Sequence, residues 1–170
     1  AGGHQHPFSS STPVESCLMN LQSMPDIVPM TVDDHADFAA MMQRTPGVVL
    51  RTADGYAPTQ RYLERNPGLS FVARPAAGAG IVGCAMAGHD GRRGYLQHVM
   101  VDPDYRHLGL ARTLVDRCLA ALLEAGIEKV HLDTLADNHE AHRFWAHLGW
   151  EDRRDEIVKF SHVLVEDANA

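Results

Sequence analysis

At 170 residues, with 45% hydrophobic and 22% charged side chains, the chain has room for one soluble globular domain with a sizeable core and too little for two. A formal net charge of −7 excludes a general nucleic-acid-binding surface, which needs a basic face, although Arg92, Arg93, Arg106 and Arg112 are close enough in sequence to form a local basic pocket. No run approaches a membrane span, and Cys17, Cys84 and Cys118 lack metal-ligand spacing, so the composition suits a reducing cytoplasm and no membrane partner.

Residues 1 to 22, polar and rich in Gly, His and Ser, predict a flexible extension ahead of a single domain over residues 23–170. Asp26 to Met30 predicts a first strand, and Thr31 to Arg44 a helix that starts on a Thr cap and buries Phe38, Met41 and Met42. Pro46-Gly47 and Asp54-Gly55 mark a loop around a short extended piece, Val48 to Arg51. Pro58 to Arg65 predicts a second helix that Asn66-Pro67-Gly68 ends. Leu69 to Arg74 and Ile81 to Gly88 form a hairpin, and the Asp90-Gly91 turn leads into a third strand, Tyr95 to Val101. A long helix then carries Leu110, Leu114, Cys118 and Leu122 at i, i+4 spacing, with Val115 and Leu119 widening the stripe. Lys129 to Leu135 predicts a strand, Asp137-Asn138 the cap of a helix reaching Leu148, and Glu151 to Arg154 and Ile157 to Leu164 two closing strands. This order predicts an α/β (α+β) fold: a mixed, mostly antiparallel sheet of about seven strands flanked by about four helices.

The chemistry concentrates between the third strand and the long helix. Val101-Asp-Pro ends the strand, and Arg106-His-Leu-Gly109-Leu-Ala111-Arg112 opens the helix. The first amides of a helix have no internal partners and lie at the positive end of its dipole, so they suit a phosphate group. Small Gly109 and Ala111 admit a ligand to the backbone, and Arg106 and Arg112 add charge. Arg-x-x-Gly-x-Ala after Val-Asp-Pro resembles the pyrophosphate loop of the GNAT superfamily of N-acetyltransferases. Asn138-His-Glu-Ala141-His-Arg-Phe144-Trp145-Ala-His-Leu-Gly149-Trp150 resembles that family's later motif, and the likeness covers roughly residues 26 to 165.

The resemblance implies a GNAT fold and acetyl transfer from acetyl-CoA to the primary amine of a small molecule or peptide. Attack would be direct, through a tetrahedral intermediate. It implies that Val99, Met100 and Val101 offer backbone amides at a bulge, that Arg106, His107, Leu108, Gly109, Leu110, Ala111 and Arg112 hold the pyrophosphate, and that Asn138 meets the pantetheine or its surroundings. Residues 45 to 66 would cover the acceptor site. Many members pair through their C-terminal strands, which makes a homodimer an expectation here. For the base that takes the amine proton, Asp133 occupies the position of a proton-accepting glutamate in one branch of the family. His98, beside the thioester-binding amides, is the second candidate, because a histidine's ordinary pKa near about 6.5 suits base work. Trp145 stands where members commonly carry a tyrosine acid. An indole cannot protonate a thiolate, but it can line the CoA channel.

His139-Glu140-Ala141-His142 falls one residue short of a His-Glu-x-x-His zinc signature and has no third ligand in view, so no metal is expected. Two rivals remain at this level. A regulatory module could bind acyl-CoA without turning it over, and a nucleotide-binding interaction domain would bind ATP without preferring CoA.

Overall fold

A computed structural model of the protein describes residues 24–76, 78 and 80–170. The expected N-terminal extension and Cys17 lie outside them. The strands are β1 (Asp26–Pro29), β2 (Phe71–Arg74), β3 (Gly83–His89), β4 (Gly94–Val101) and β5 (Val130–His131). The helices are α1 (His35–Arg44), α2 (Tyr56–Arg65), α3 (Leu110–Glu124) and α4 (His139–His147). The sheet order follows the chain, β1-β2-β3-β4-β5, with antiparallel neighbours except for the parallel pair β4 and β5 that α3 connects. This is the mixed, mostly antiparallel α/β architecture the sequence predicts.

Alternation along the strands sorts side chains onto two faces. Phe71, Ala73, Ala85, Ala87 and Leu96 pack with Leu110, Leu114, Val115, Cys118 and Leu122 of α3. Val72, Cys84, Met86 and Met100 pack on the other face with Phe38, Met41 and Met42 of α1. Leu96 and Met100 share a parity, and in a regular strand they would point the same way. They do not, because the β3–β4 register shifts. Cys84 faces Met100 and Met86 faces Gln97, so His98 and Val99 together oppose Ala85 in a β-bulge. His98 takes φ +49°, an uncommon conformation for a residue with a Cβ, costing about 1 kcal/mol or more.

Three expectations need correction. Among the described residues the sheet has five strands rather than about seven, because residues 151–154 and 157–164 form no ladder. Apolar content favours strand, but a strand also needs a neighbour's backbone groups, and among the described residues none pairs with these segments. They are instead exposed, with Phe160 at 90% and Leu164 at 88%, while the C-terminus bonds back to the loop before α2 through Asn169 O and Thr52 N (3.1 Å). The strand expected over Lys129 to Leu135 shortens to two residues. It pairs only Val130 with Gly94 and His131 with Tyr95, so the β5-side edge of β4 is open from Leu96 onward. The four arginines do not form one basic pocket. Arg92 and Arg93 precede β4 and Arg106 and Arg112 follow it, which sets them apart by the strand's length, about 25 Å.

Candidate active site

A cavity of about 580 Å³ lies between α2 and the bulged end of β4. The bulge builds its floor: it lets two consecutive residues, Gln97 and His98, both line the cavity. His98 then meets Asp54, with Nε2 2.9 Å from Oδ1. Asp54 is buried, in a short 3-10 turn that its own carboxylate closes by accepting the Arg51 amide at Oδ2 (2.8 Å). Its backbone carbonyl accepts from His35 Nε2 (2.8 Å) when that nitrogen carries the proton. Phe38 meets the His98 ring edge-on at 5.4 Å between centroids. Carboxylate and ring edge together fix the imidazole. With Nε2–H donating to Asp54, Nδ1 is the basic nitrogen.

The α2 side of the cavity carries Thr59, Arg61, Tyr62 and Arg65. The Tyr62 hydroxyl is buried without a hydrogen-bond partner, and burial pushes its pKa well above the usual phenol range, so it stays a neutral donor. Under the sheet, Cys84 donates its thiol hydrogen to the His98 carbonyl (3.2 Å) and burial raises its pKa to about 12, which makes it a packing thiol rather than a nucleophile.

Just past the C-terminal end of β4, Pro103–Leu108 forms a 3-10 turn, with the Asp102 carboxylate accepting the Asp104 amide (3.1 Å). Gly109 adopts φ +68° as the residue before α3, with open space where a side chain would project. The first bond of the helix runs from the Thr113 amide to Gly109 O (3.1 Å), so the amides of Leu110, Ala111 and Arg112 precede the ladder. Arg106, His107, Leu108 and Arg112 are exposed there, and Arg106 lies 4.0 Å from Glu140 in the first turn of α4.

The remaining sequence-predicted residues fall elsewhere. Asp133 is 70% exposed, pairs with Lys159 and does not line the cavity, so the two candidate bases are not brought together. Asn138 caps α4 by accepting the Ala141 amide (3.1 Å), within the Asp137-Asn138 pair expected to cap this helix. Trp145 meets Trp150 at 5.0 Å and Phe144 at 4.9 Å and packs α4 against the α3-side core. Val99 and Val101 turn their side chains toward that core and Met100 turns to the opposite one. Among the described residues, no group of three His, Cys, Asp or Glu side chains is placed to hold a metal ion. Sequence reasoning missed Asp54, Arg61, Tyr62 and Arg65, because Asp54-Gly55 reads locally as nothing more than a turn.

Residues 36–150 match the acetyltransferase (GNAT) family, about two thirds of the chain. The chain belongs to that family. As a GNAT acetyltransferase it is an acyltransferase by class. It is 33% identical over 97 residues to an acetyltransferase of Sodalis glossinidius, covering 57% of this chain and 67% of that one. It is 36% identical over 87 residues to an acetyltransferase of Photorhabdus laumondii, covering 51% and 61%. The GNAT chain therefore spans about two thirds or less of the length of these relatives. The solved structure of an aminoglycoside N-acetyltransferase in complex with CoA superposes with a TM-score of 0.65, covering 86% of this chain and 100% of that one at 20% identity, a likeness of fold.

Proposed function

We propose that the protein transfers an acetyl group from acetyl-CoA to a primary amine held in the α2 cavity, by direct attack with no covalent enzyme intermediate. The observation that carries this is the His98–Asp54 pair, aimed by the bulge into a cavity beside the open edge of β4. The amine nitrogen attacks the thioester carbonyl, the C–N bond forms, and the oxyanion meets backbone amides of Val99 to Val101. His98 Nδ1 takes the proton the amine must lose, and Asp54 holds the resulting imidazolium. Collapse breaks the C–S bond, and the CoA thiolate, whose conjugate acid has a pKa near about 8.5, leaves without an enzyme acid. This agrees with Trp145 packing in the core instead of donating a proton. Asp133 has no part in the scheme.

The pyrophosphate would sit on the Leu110, Ala111 and Arg112 amides over the open face of Gly109, with Arg106 and Arg112 alongside. The aminoglycoside N-acetyltransferase of like fold, solved in complex with CoA, supports an acyl-CoA as the donor. Among the described residues no helix is long and apolar enough to cross a membrane, which suits work in the cytoplasm. A homodimer belongs to the same reading. Ile157, Val158, Phe160, Val163, Leu164 and Val165 leave more apolar surface in water than monomers usually do, and sedimentation at rising concentration tests whether a second copy covers it. The central test is amine-dependent release of free CoA from acetyl-CoA. Acetyl-CoA binding without release across an amine panel would replace the transferase with the regulatory module.

A further inference from the structure

The wall that α2 turns toward the cavity is built of donors. Arg61 and Arg65 are four residues apart, which places both on one helix face, and both line the cavity. Neither has a carboxylate within salt-bridge distance among the described residues. Between them lies Tyr62, whose buried hydroxyl lacks a partner and stays protonated. That hydroxyl lies against Gly88 and Asn66, so the groups on this wall that reach the open cavity are the two guanidinium groups.

Among the described residues the one carboxylate of the main cavity, that of Asp54, is engaged within the protein. One oxygen serves His98 and the other the Arg51 amide. An adjoining recess of about 220 Å³ shares Tyr62, Arg65 and Gln97 with the main cavity and contains Asp90. The Oδ1 of Asp90 is already taken by the amides of Arg92 (2.8 Å) and Arg93 (2.7 Å). A polycation such as a polyamine or an aminoglycoside would meet two like charges on the α2 wall. A carboxylate would meet two guanidinium groups whose geometry matches its own.

We propose that the acceptor is an amine that also carries a carboxylate. The carboxylate binds Arg61 and Arg65 on α2, and the amino group lies against His98 on β4. This rests on the cavity being the acceptor site of the transferase reading. Arg61 and Arg65 then set specificity without touching the reacting atoms.

The test is CoA release with matched pairs: α-, β- and γ-amino acids and their carboxamides, with spermidine as the polycation, on wild type, Arg61→Gln, Arg65→Gln and the double variant. Hydrogen bonds to a charged group predict a wild-type preference for the carboxylate of roughly 10- to 100-fold in kcat/KM, expressed mainly in KM. Each single variant should shrink that ratio several-fold and the double variant should erase it. Turnover of the carboxamides should fall less than that of the carboxylates, because a neutral carbonyl oxygen loses a weaker hydrogen bond than a charged one. A preference for carboxamides or spermidine, or a carboxylate preference that survives the double variant, overturns the proposal and leaves the transferase standing. Wild type that binds acetyl-CoA but releases no CoA with any amine overturns both.

Discussion

His98→Asn removes the base while respecting the backbone. Asparagine tolerates the left-handed region better than other substitutes, so φ +49° can persist. Its shorter amide cannot span the 2.9 Å contact as the imidazole does, which leaves Asp54 Oδ1 short of a partner in a buried place. That costs stability by about 1–3 kcal/mol. The kinetic effect is separable from it. A lysine-type amine of pKa about 10.4 is neutral in roughly one molecule in two thousand at pH 7, a cost of about 4.6 kcal/mol, whereas an amine near 7.8 costs only about 1. General base catalysis contributes about 10²–10⁴ in rate, and a well-positioned His98 should supply the lower part of that range for a weakly basic amine and the upper part for a lysine-like one. The variant is therefore expected to lose at least about 100-fold in kcat/KM at pH 7. It should recover with rising pH, as solvent neutralises the amine without help. The assay is CoA release from pH 6 to 10 at saturating acetyl-CoA, with a thermal melt confirming the fold. A folded variant with wild-type kcat/KM at pH 7, or one whose deficit is the same at every pH, would refute the assignment of His98 as base.

Gly109→Glu should abolish acetyl-CoA binding by calorimetry. It puts a carboxylate beside the free amides of α3, where it would favour the helix dipole and occupy the anion site, while the left-handed backbone adds about 1 kcal/mol of strain. Asp133→Asn should leave the pH dependence of turnover unchanged, since its carboxylate pairs with Lys159 away from the cavity, and an altered profile would return it to the mechanism. Cys84 and Cys118 rise from an ordinary 9.0 to about 12, chiefly through burial. Below pH 9 folded and unfolded thiols are both protonated; above it the unfolded chain releases protons first, so stability should decline as pH rises from 9 toward 12. Urea unfolding at pH 8 and 10.5 reads the decline, and brisk alkylation of both thiols in the folded protein at pH 8 would contradict it. Gly88→Ala should destabilise by about 1–3 kcal/mol through overpacking, because a methyl there would lie 2.7 Å from Asn66 Nδ2 and the Tyr62 hydroxyl. A melting temperature at or above wild type would show that both side chains move aside freely.

Local pattern was enough for the parts whose physics is local. The i, i+4 stripe of α3 is buried as its spacing requires, and the turn chemistry of Asp90-Gly91 closes the β3–β4 hairpin. The helix start at Gly109 was likewise legible, as a small residue after Val-Asp-Pro. What stayed hidden depends on pairs distant in sequence. Nothing near Asp54 announces His98, and nothing near Arg61 and Arg65 shows that both face a cavity. The closing strands failed for a related reason, since the apolar content of Ile157 to Leu164 describes side chains while a ladder needs a second backbone.

The bulge in β4 separates the aim of the imidazole from the hydrophobic register. Removing one residue at position 98 or 99 would close the bulge and restore strict alternation with Met100 still on the α1-side face opposite to Leu96, while the straightened strand no longer aims an imidazole into the cavity. The extra residue thus serves the site, and the facing of the core does not require it. A lineage carrying this strand can explore other bases at position 98 by substitution, while a single-codon deletion there keeps the facing of the core and forfeits the reaction.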